Sequence, residues 1–298
     1  MEVVRTMSLS KKYQGKNAVD HVTMTVKQGA IYGFIGRNGA GKSTTLKMLC
    51  GLAKPTSGDI QIFGTTLQNT VTRKRIGMLI EQAGIYPNFT AYENMKLKAN
   101  YLGVIDPDLK IRELLALFHL EEQKKKKIKQ FSMGMKQRLG IAMALLGNPD
   151  LLILDEPING LDPEGILEIR QLLKRFNEEN RITMIISSHI LGELSKIATD
   201  YGIIKDGKLI EQISAKELEA KCNDYIHLKT PDPKKAVVAL EEKLGIRHYE
   251  IRPDGEIRIY ERNNQISKVL LEKGIVVEEL FRHQQDLERY FLELMGGE

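Results

Sequence analysis

The stretch AIYGFIGRNGAGKST constrains this chain more than any other. A short apolar run, consistent with a strand buried on both faces, feeds directly into Gly36 to Thr44, which fit the spacing G-x-x-x-x-G-K-[ST]. Glycines allow a backbone to wrap closely around phosphates. In this loop Gly36, Asn38, Gly39, Ala40, Gly41 and Thr44 supply the wrap, Lys42 reaches the β- and γ-phosphates, and Ser43 can ligate Mg2+. A strand before the loop and a helix after it favour a nucleotide site over a purely structural glycine turn.

Two further apolar runs end in groups of matching chemistry. LLILDEP places Asp155 and Glu156 at the C-terminal end of a strand, where open α/β sheets bind ligands. Asp155 is suited to hold hydrated Mg2+, and Glu156 to polarise an attacking water. ITMIIS runs into Ser188 and His189, and at the same sheet edge His189 can hydrogen-bond a γ-phosphate or the water. Standing alone, each would read as surface acids or a structural histidine. A fourth stretch, FSMGMKQRLG, sets Ser132 and Gly134 where a helix begins, a natural anion site with unpaired N–H donors.

Between these motifs, apolar runs alternate with helical patterns from residue 30 to about 210, which implies a largely parallel α/β sheet. From about residue 85 to 149 the spacing turns helical throughout, as in LKIRELLALFHL, and reads as a helical insert. After a helix at SAKELEAK the order becomes β-α-β-β-α-β, the split βαβ arrangement, with a terminal helix DLERYFLELM. This divides the 298 residues into a first domain, 1–221, and a smaller α+β domain of ferredoxin-like order, 222–298.

Composition narrows the setting. Cys50 and Cys222 form no CxxC pair, so a disulfide framework and a zinc site are not suggested, and both read as packing residues. The N-terminus lacks the apolar core of a signal peptide, and no run approaches a membrane span. A net charge of +5 adds little case for nucleic acid, and the run Lys124 to Lys127 reads as a solvated loop or helix end.

Taken together and in this order, the motifs resemble the ATP-binding-cassette (ABC) ATPases, over about residues 3 to 221. The resemblance implies a P-loop NTPase cassette with a helical subdomain, using ATP and Mg2+. Gly36 to Thr44 look like Walker A, Leu151 to Glu156 like Walker B, Asn159 to Asp162 like the D-loop, and His189 like the switch histidine. Tyr13 resembles the aromatic that stacks on adenine; the other reading is an edge-strand tyrosine. In this family the signature helix faces the phosphate loop of a second subunit, so Ser132 and Gly134 would grip the γ-phosphate of a partner's ATP, and Asp162 of the D-loop is a further nucleotide-binding residue. The signature departs from the usual LSGGQ at Phe131, Met133 and Met135. Aligned on GIYP, Glu81 occupies the position where most members have the Q-loop glutamine, as a further possible Mg2+ ligand; a shift by one residue would put Gln82 there instead.

Glutamate at that position, SMGMKQR and the ending LERYFLELMGG resemble the ATPase subunits of bacitracin-type and lantibiotic-immunity exporters. This resemblance implies an ATP-dependent homodimer, peripheral on the cytoplasmic face of the membrane, that powers export through separate permease subunits without nucleic acid. The alternative is a soluble cassette ATPase of translation, DNA repair or cofactor assembly. Neither two cassettes in one chain nor a long coiled coil, features of ribosome-acting and repair members, is found.

Overall fold

A computed structural model of the chain describes residues 1–66, 69–81, 84–123, 125–221, 225–261, 263–283, 290, 291 and 294. It divides into two compact units, Met1–Ala215 and Lys216–Glu298. Cys222, Gln82, Lys124 and most of the expected terminal helix lie outside the described residues.

The first unit opens with strands β1 (Glu2–Tyr13), β2 (Lys16–Val22) and β3 (Thr25–Lys27), then β4 (Ile31–Ile35) and helix α1 (Lys42–Leu49). Strands β5 (Ser57–Ile62) and β6 (Thr65–Thr66), helix α2 (Thr70–Lys74) and strand β7 (Ile76–Leu79) follow. The helical stretch holds α3 (Ala91–Leu102), α4 (Pro107–Leu117) and α5 (Met133–Leu145). Helix α3 begins at a capping box in which Thr90 Oγ1 accepts from Glu93 N while the Glu93 carboxylate accepts from Thr90 N, and it ends at left-handed Gly103. The remainder comprises β8 (Leu151–Asp155), α6 (Pro163–Asn180), β9 (Thr183–Ser188), α7 (Leu191–Leu194), β10 (Asp200–Lys205), β11 (Lys208–Ser214) and α8 (Ala215–Lys221), the last crossing the division between units.

Two sheets build this unit. The six-stranded sheet runs β11-β10-β4-β9-β8-β7, parallel throughout except for the β10–β11 hairpin. Every residue of β4, β8 and β9 is buried, which explains their unbroken apolar runs. Full burial of a side chain such as Ile153 or Leu154 contributes about 1.5–3 kcal/mol. Residues 1–66 add an antiparallel sheet, β2-β1-β5-β6 with β3 also on β1, which the alternating βα pattern did not announce.

The second unit contains β12 (Tyr225–Lys229), α9 (Pro233–Leu244), β13 (Tyr249–Ile251), β14 (Ile257–Ile259), α10 (Ile266–Glu272) and β15 (Glu279–His283). Its strands form one antiparallel sheet in the order β13-β14-β12-β15. Leu228, Ile257 and Ile259 share a core with Ala236 and Leu240 of α9 and Val269 and Leu270 of α10. Cys50 is buried in the first unit's core, which pushes its thiol up to about 12 and suits a packing residue. Lys125, Lys126 and Lys127 are exposed, and no described helix is long and apolar enough to cross a membrane.

Candidate functional site

Three adjacent parallel strands set the site. Ile35 of β4 pairs with Ser188 of β9, and Asp155 of β8 pairs with Ser187, so Gly36, Glu156 and His189 all emerge at one C-terminal sheet edge. Gly41 precedes α1 with φ of 108°, and a Cβ there would stand 2.6 Å from Ala18 O, so only glycine fits the turn. A Cβ on Gly36 would fall 2.5 Å from Ile204 O. The loop therefore lies close against its neighbours with its residues Arg37, Asn38 and Gly39 exposed, while Ala40 is buried and Ser43 and Thr44 are half-buried.

Lys42 is 5% exposed; its Nζ donates to Gly36 O at 2.6 Å and Arg37 O at 3.3 Å and lies 3.5 Å from Glu156 Oε1. Glu156 Oε2 is 2.8 Å from His189 Nδ1. A lysine, a carboxylate and an imidazole from three separate motifs are thus joined in one cluster. Glu156 has φ of 49°, an uncommon conformation for a residue with a side chain. It is pinned from both sides: its N–H donates to Ser187 Oγ at 3.0 Å, and its carbonyl accepts from Gln137 Nε2 at 2.9 Å. Asp155 is buried and accepts from Ser187 Oγ at 2.5 Å.

The family model described as "ABC transporter" matches residues 19–159. The bacitracin transport ATP-binding protein BcrA of Bacillus licheniformis is 45% identical over 300 residues, covering 99% of this chain and 98% of that relative. This chain belongs to the ABC transporter ATP-binding proteins. The lantibiotic transport ATP-binding protein SrtF of Streptococcus pyogenes is 43% identical over 227 residues, 75% of this chain and 97% of the relative. Among solved structures, the ATP-binding cassette MJ0796 in a dimeric, post-hydrolysis state with ADP and Pi superimposes with a TM-score of 0.67 at 28% identity, covering 71% of this chain and 98% of that one. The chain accordingly contains an ABC cassette and is an ATP-binding ATPase of that family.

Within this ABC cassette Ser132 and Gly134 stand at the start of α5, where Ser132 is the N-cap and its Oγ accepts from Met135 N at 3.2 Å. Gly134 lies against Leu161: a Cβ there would be 3.1 Å from Leu161 Cδ2. Met133, where other signatures carry glycine, is helical and 48% exposed, so the departure does not prevent the helix from starting at Ser132. Its sulfur occupies the space above Gly160, where a Cβ would fall 2.7 Å away. Asp162 caps α6 through Gly165 N. Tyr13 ends β1, is 49% exposed, and has Lys11 Nζ 5.1 Å from its ring centroid. Glu81, just beyond β7, pairs with Lys47 at 2.7 Å.

Ser187, Gln137 and Lys47 were not anticipated in the sequence. Ser187 had the best available signal, since it lies in the strand leading to His189; Gln137 follows the signature by a helical turn. Lys47 carries no local sign of a partner in residue 81.

Proposed function

We propose that this ATPase is the motor of an exporter of antimicrobial peptides or related drugs, acting as a homodimer with separate membrane permease subunits at the cytoplasmic face of the membrane. The joining of Lys42, Glu156 and His189 at the phosphate loop carries the reading of the motor. The transport names of the bacitracin and lantibiotic relatives support the cargo class, and the dimeric state of the MJ0796 cassette supports pairing of two copies.

In this reading the N–H groups of residues Gly36, Asn38, Gly39, Ala40, Gly41 and Thr44 and the Lys42 ammonium hold ATP phosphates, while Tyr13 stacks on adenine. The donor set suits Mg2+: the buried Asp155 carboxylate and the half-buried Ser43 hydroxyl offer hard oxygen ligands, and Mg2+ at phosphate sites needs only one or two from the protein. Ser43 and Asp155 would hold it, with Glu81 as a further ligand. Bound Mg2+ supplies charge neutralisation on the β- and γ-phosphates. Glu156 accepts a proton from water as the water oxygen bonds to the γ-phosphorus and the bond from that phosphorus to the β,γ-bridging oxygen breaks, so that ADP leaves with that oxygen, and His189 orients the Glu156 carboxylate and the γ-phosphate. Ser132 and Gly134, with Asp162 beside them, close the partner's site through the positive end of α5.

Residues 1–221 form the cassette, with the helical subdomain at about 85–149. Residues 222–298 form an accessory domain of ferredoxin-like type, a reading supported by the strand order β13-β14-β12-β15 and by the quarter of the chain left uncovered in the lantibiotic relative. Purification from membranes in mild detergent tests the whole proposal. A polytopic membrane protein should co-purify, and vesicles holding both should move a bacitracin-type peptide in an ATP-dependent manner. Absence of any membrane partner, with hydrolysis indifferent to peptide and lipid, would overturn it.

A further inference from the structure

Glu81 leaves β7 next to the acidic end of β8, because Leu79 pairs with Leu154 and the following residues run toward Asp155 and Glu156. It does so in a left-handed conformation, φ 49°, that is costly for a side-chain-bearing residue. Such a conformation persists only when its surroundings hold it. Its Oε1 accepts a hydrogen bond from Lys47 Nζ at 2.7 Å.

Lys47 stands on α1, the helix that begins with Lys42, so the element that follows the phosphate loop also carries the cation that holds Glu81. The hydrogen bond to Glu81 is the first cause that holds the Lys47 ammonium above the usual lysine range, against desolvation; the charges of Glu81, Tyr13 and Asp155 add to it. A glutamine at position 81 would offer Lys47 only a neutral acceptor, about half as strong as a charged one.

We propose that Lys47 is a positioning residue that keeps the Glu81 carboxylate in reserve, so that Mg2+ arriving with ATP must compete with the Lys47 ammonium for it. The proposal rests on the Mg2+ site described above. A carboxylate serving both at once would bring the ammonium up against a divalent cation, and that like-charge contact favours release of Lys47. Release removes the contact that holds the left-handed backbone at Glu81. The ion pair is thus a threshold that metal loading must overcome at Glu81, without any new contact to the nucleotide.

The test uses the full chain carrying Glu156→Gln to stop turnover, and reads the ratio of ATP affinities at high and low free Mg2+ by calorimetry. Lys47→Met should raise that ratio about two- to fivefold, the factor supported by a partly exposed ion pair. Lys47→Arg should restore the unsubstituted ratio. In a Glu81→Ala background, Lys47→Met should leave the ratio unchanged. Poor folding lowers the number of sites and not the ratio, and Lys47→Gln provides a milder second variant. An unchanged ratio in both Lys47→Met and Lys47→Gln, or an equal change in the Glu81→Ala background, overturns the role of Lys47. If the chain without changes at 47 or 81 shows no Mg2+ dependence, the metal site and the proposal fall together, whereas loss of that dependence in Ser43→Ala alone leaves the site standing and Lys47 judged by its own ratio.

Discussion

The Ser187 hydroxyl joins the two acids at the end of β8: it donates to Asp155 Oδ1 at 2.5 Å and accepts from Glu156 N at 3.0 Å. Ser187 is fully buried on the neighbouring strand β9, so one side chain fixes both the aspartate and the strained glutamate backbone. Ser187→Ala leaves a buried carboxylate oxygen without its donor, at a cost of about 1–3 kcal/mol. We expect hydrolysis to fall roughly ten- to a hundredfold while ATP affinity changes less. Steady-state kinetics with a direct nucleotide-binding measurement checks this, and an unchanged kcat would show that Ser187 does not position the pair.

Glu156 lies between Lys42 and His189, so its removal should separate binding from turnover. Glu156→Gln preserves the shape and the acceptor oxygen but not the base. Hydrolysis should slow by about 10²–10⁴-fold with ATP still bound, and an ATP-loaded dimer should accumulate on size-exclusion chromatography. Turnover close to that of the unsubstituted chain would remove Glu156 from the role of base.

Ser132 caps α5 at a distance in sequence from the phosphate loop, which makes a shared site testable by mixing. In heterodimers of a Lys42→Ala chain and a Ser132→Arg chain, one site carries both defects and the other neither. Partial recovery of hydrolysis on mixing two weak variants is the expected result. Full activity of either variant as a demonstrated monomer would contradict a site built from two chains.

In the second unit, Glu256 is held below the usual glutamate range, first by its hydrogen bond with Arg258 and then by His227, against desolvation. Because the folded value lies below the ordinary 4.5, the contribution is present above pH 4.5 and is lost as the pH falls through the folded value. Glu256→Gln should lower stability at neutral pH by about 1–3 kcal/mol and flatten that acid-side loss. Thermal unfolding of the full chain against pH, followed in the second unit by hydrogen exchange at β12 and β14, measures both effects. An identical pH profile in the variant would assign the acid sensitivity elsewhere.

Much of the site was legible because its signals are local. A loop that must wrap phosphates needs glycine at fixed offsets, and Gly41 with its φ of 108° shows why no other residue serves. Strands covered on both faces read as unbroken apolar runs, and β4, β8 and β9 did so. The antiparallel sheet was harder to read: β1 shifts register against β2 between Leu9 and Lys12 and against β5 between Met7 and Ser10, which blurs its period of two.

The sequence by itself therefore determined the glycine-rich turn between β4 and α1, the strand that ends in the acids of β8, the strand that runs into His189 and the helix start at Ser132, since each depends on residues adjacent along the chain. Only the tertiary structure decided which groups meet: Glu156 with Lys42 and His189, Asp155 with Ser187, and Glu81 with Lys47. These pairings join residues 32 to 114 positions apart or, for Glu81, strand end to helix, and they arise because parallel strand order brings distant C-terminal ends to one edge. No local periodicity encodes a side chain's partner in another element. That choice is made when the strands β4, β9 and β8 align and their ends have no other place to go.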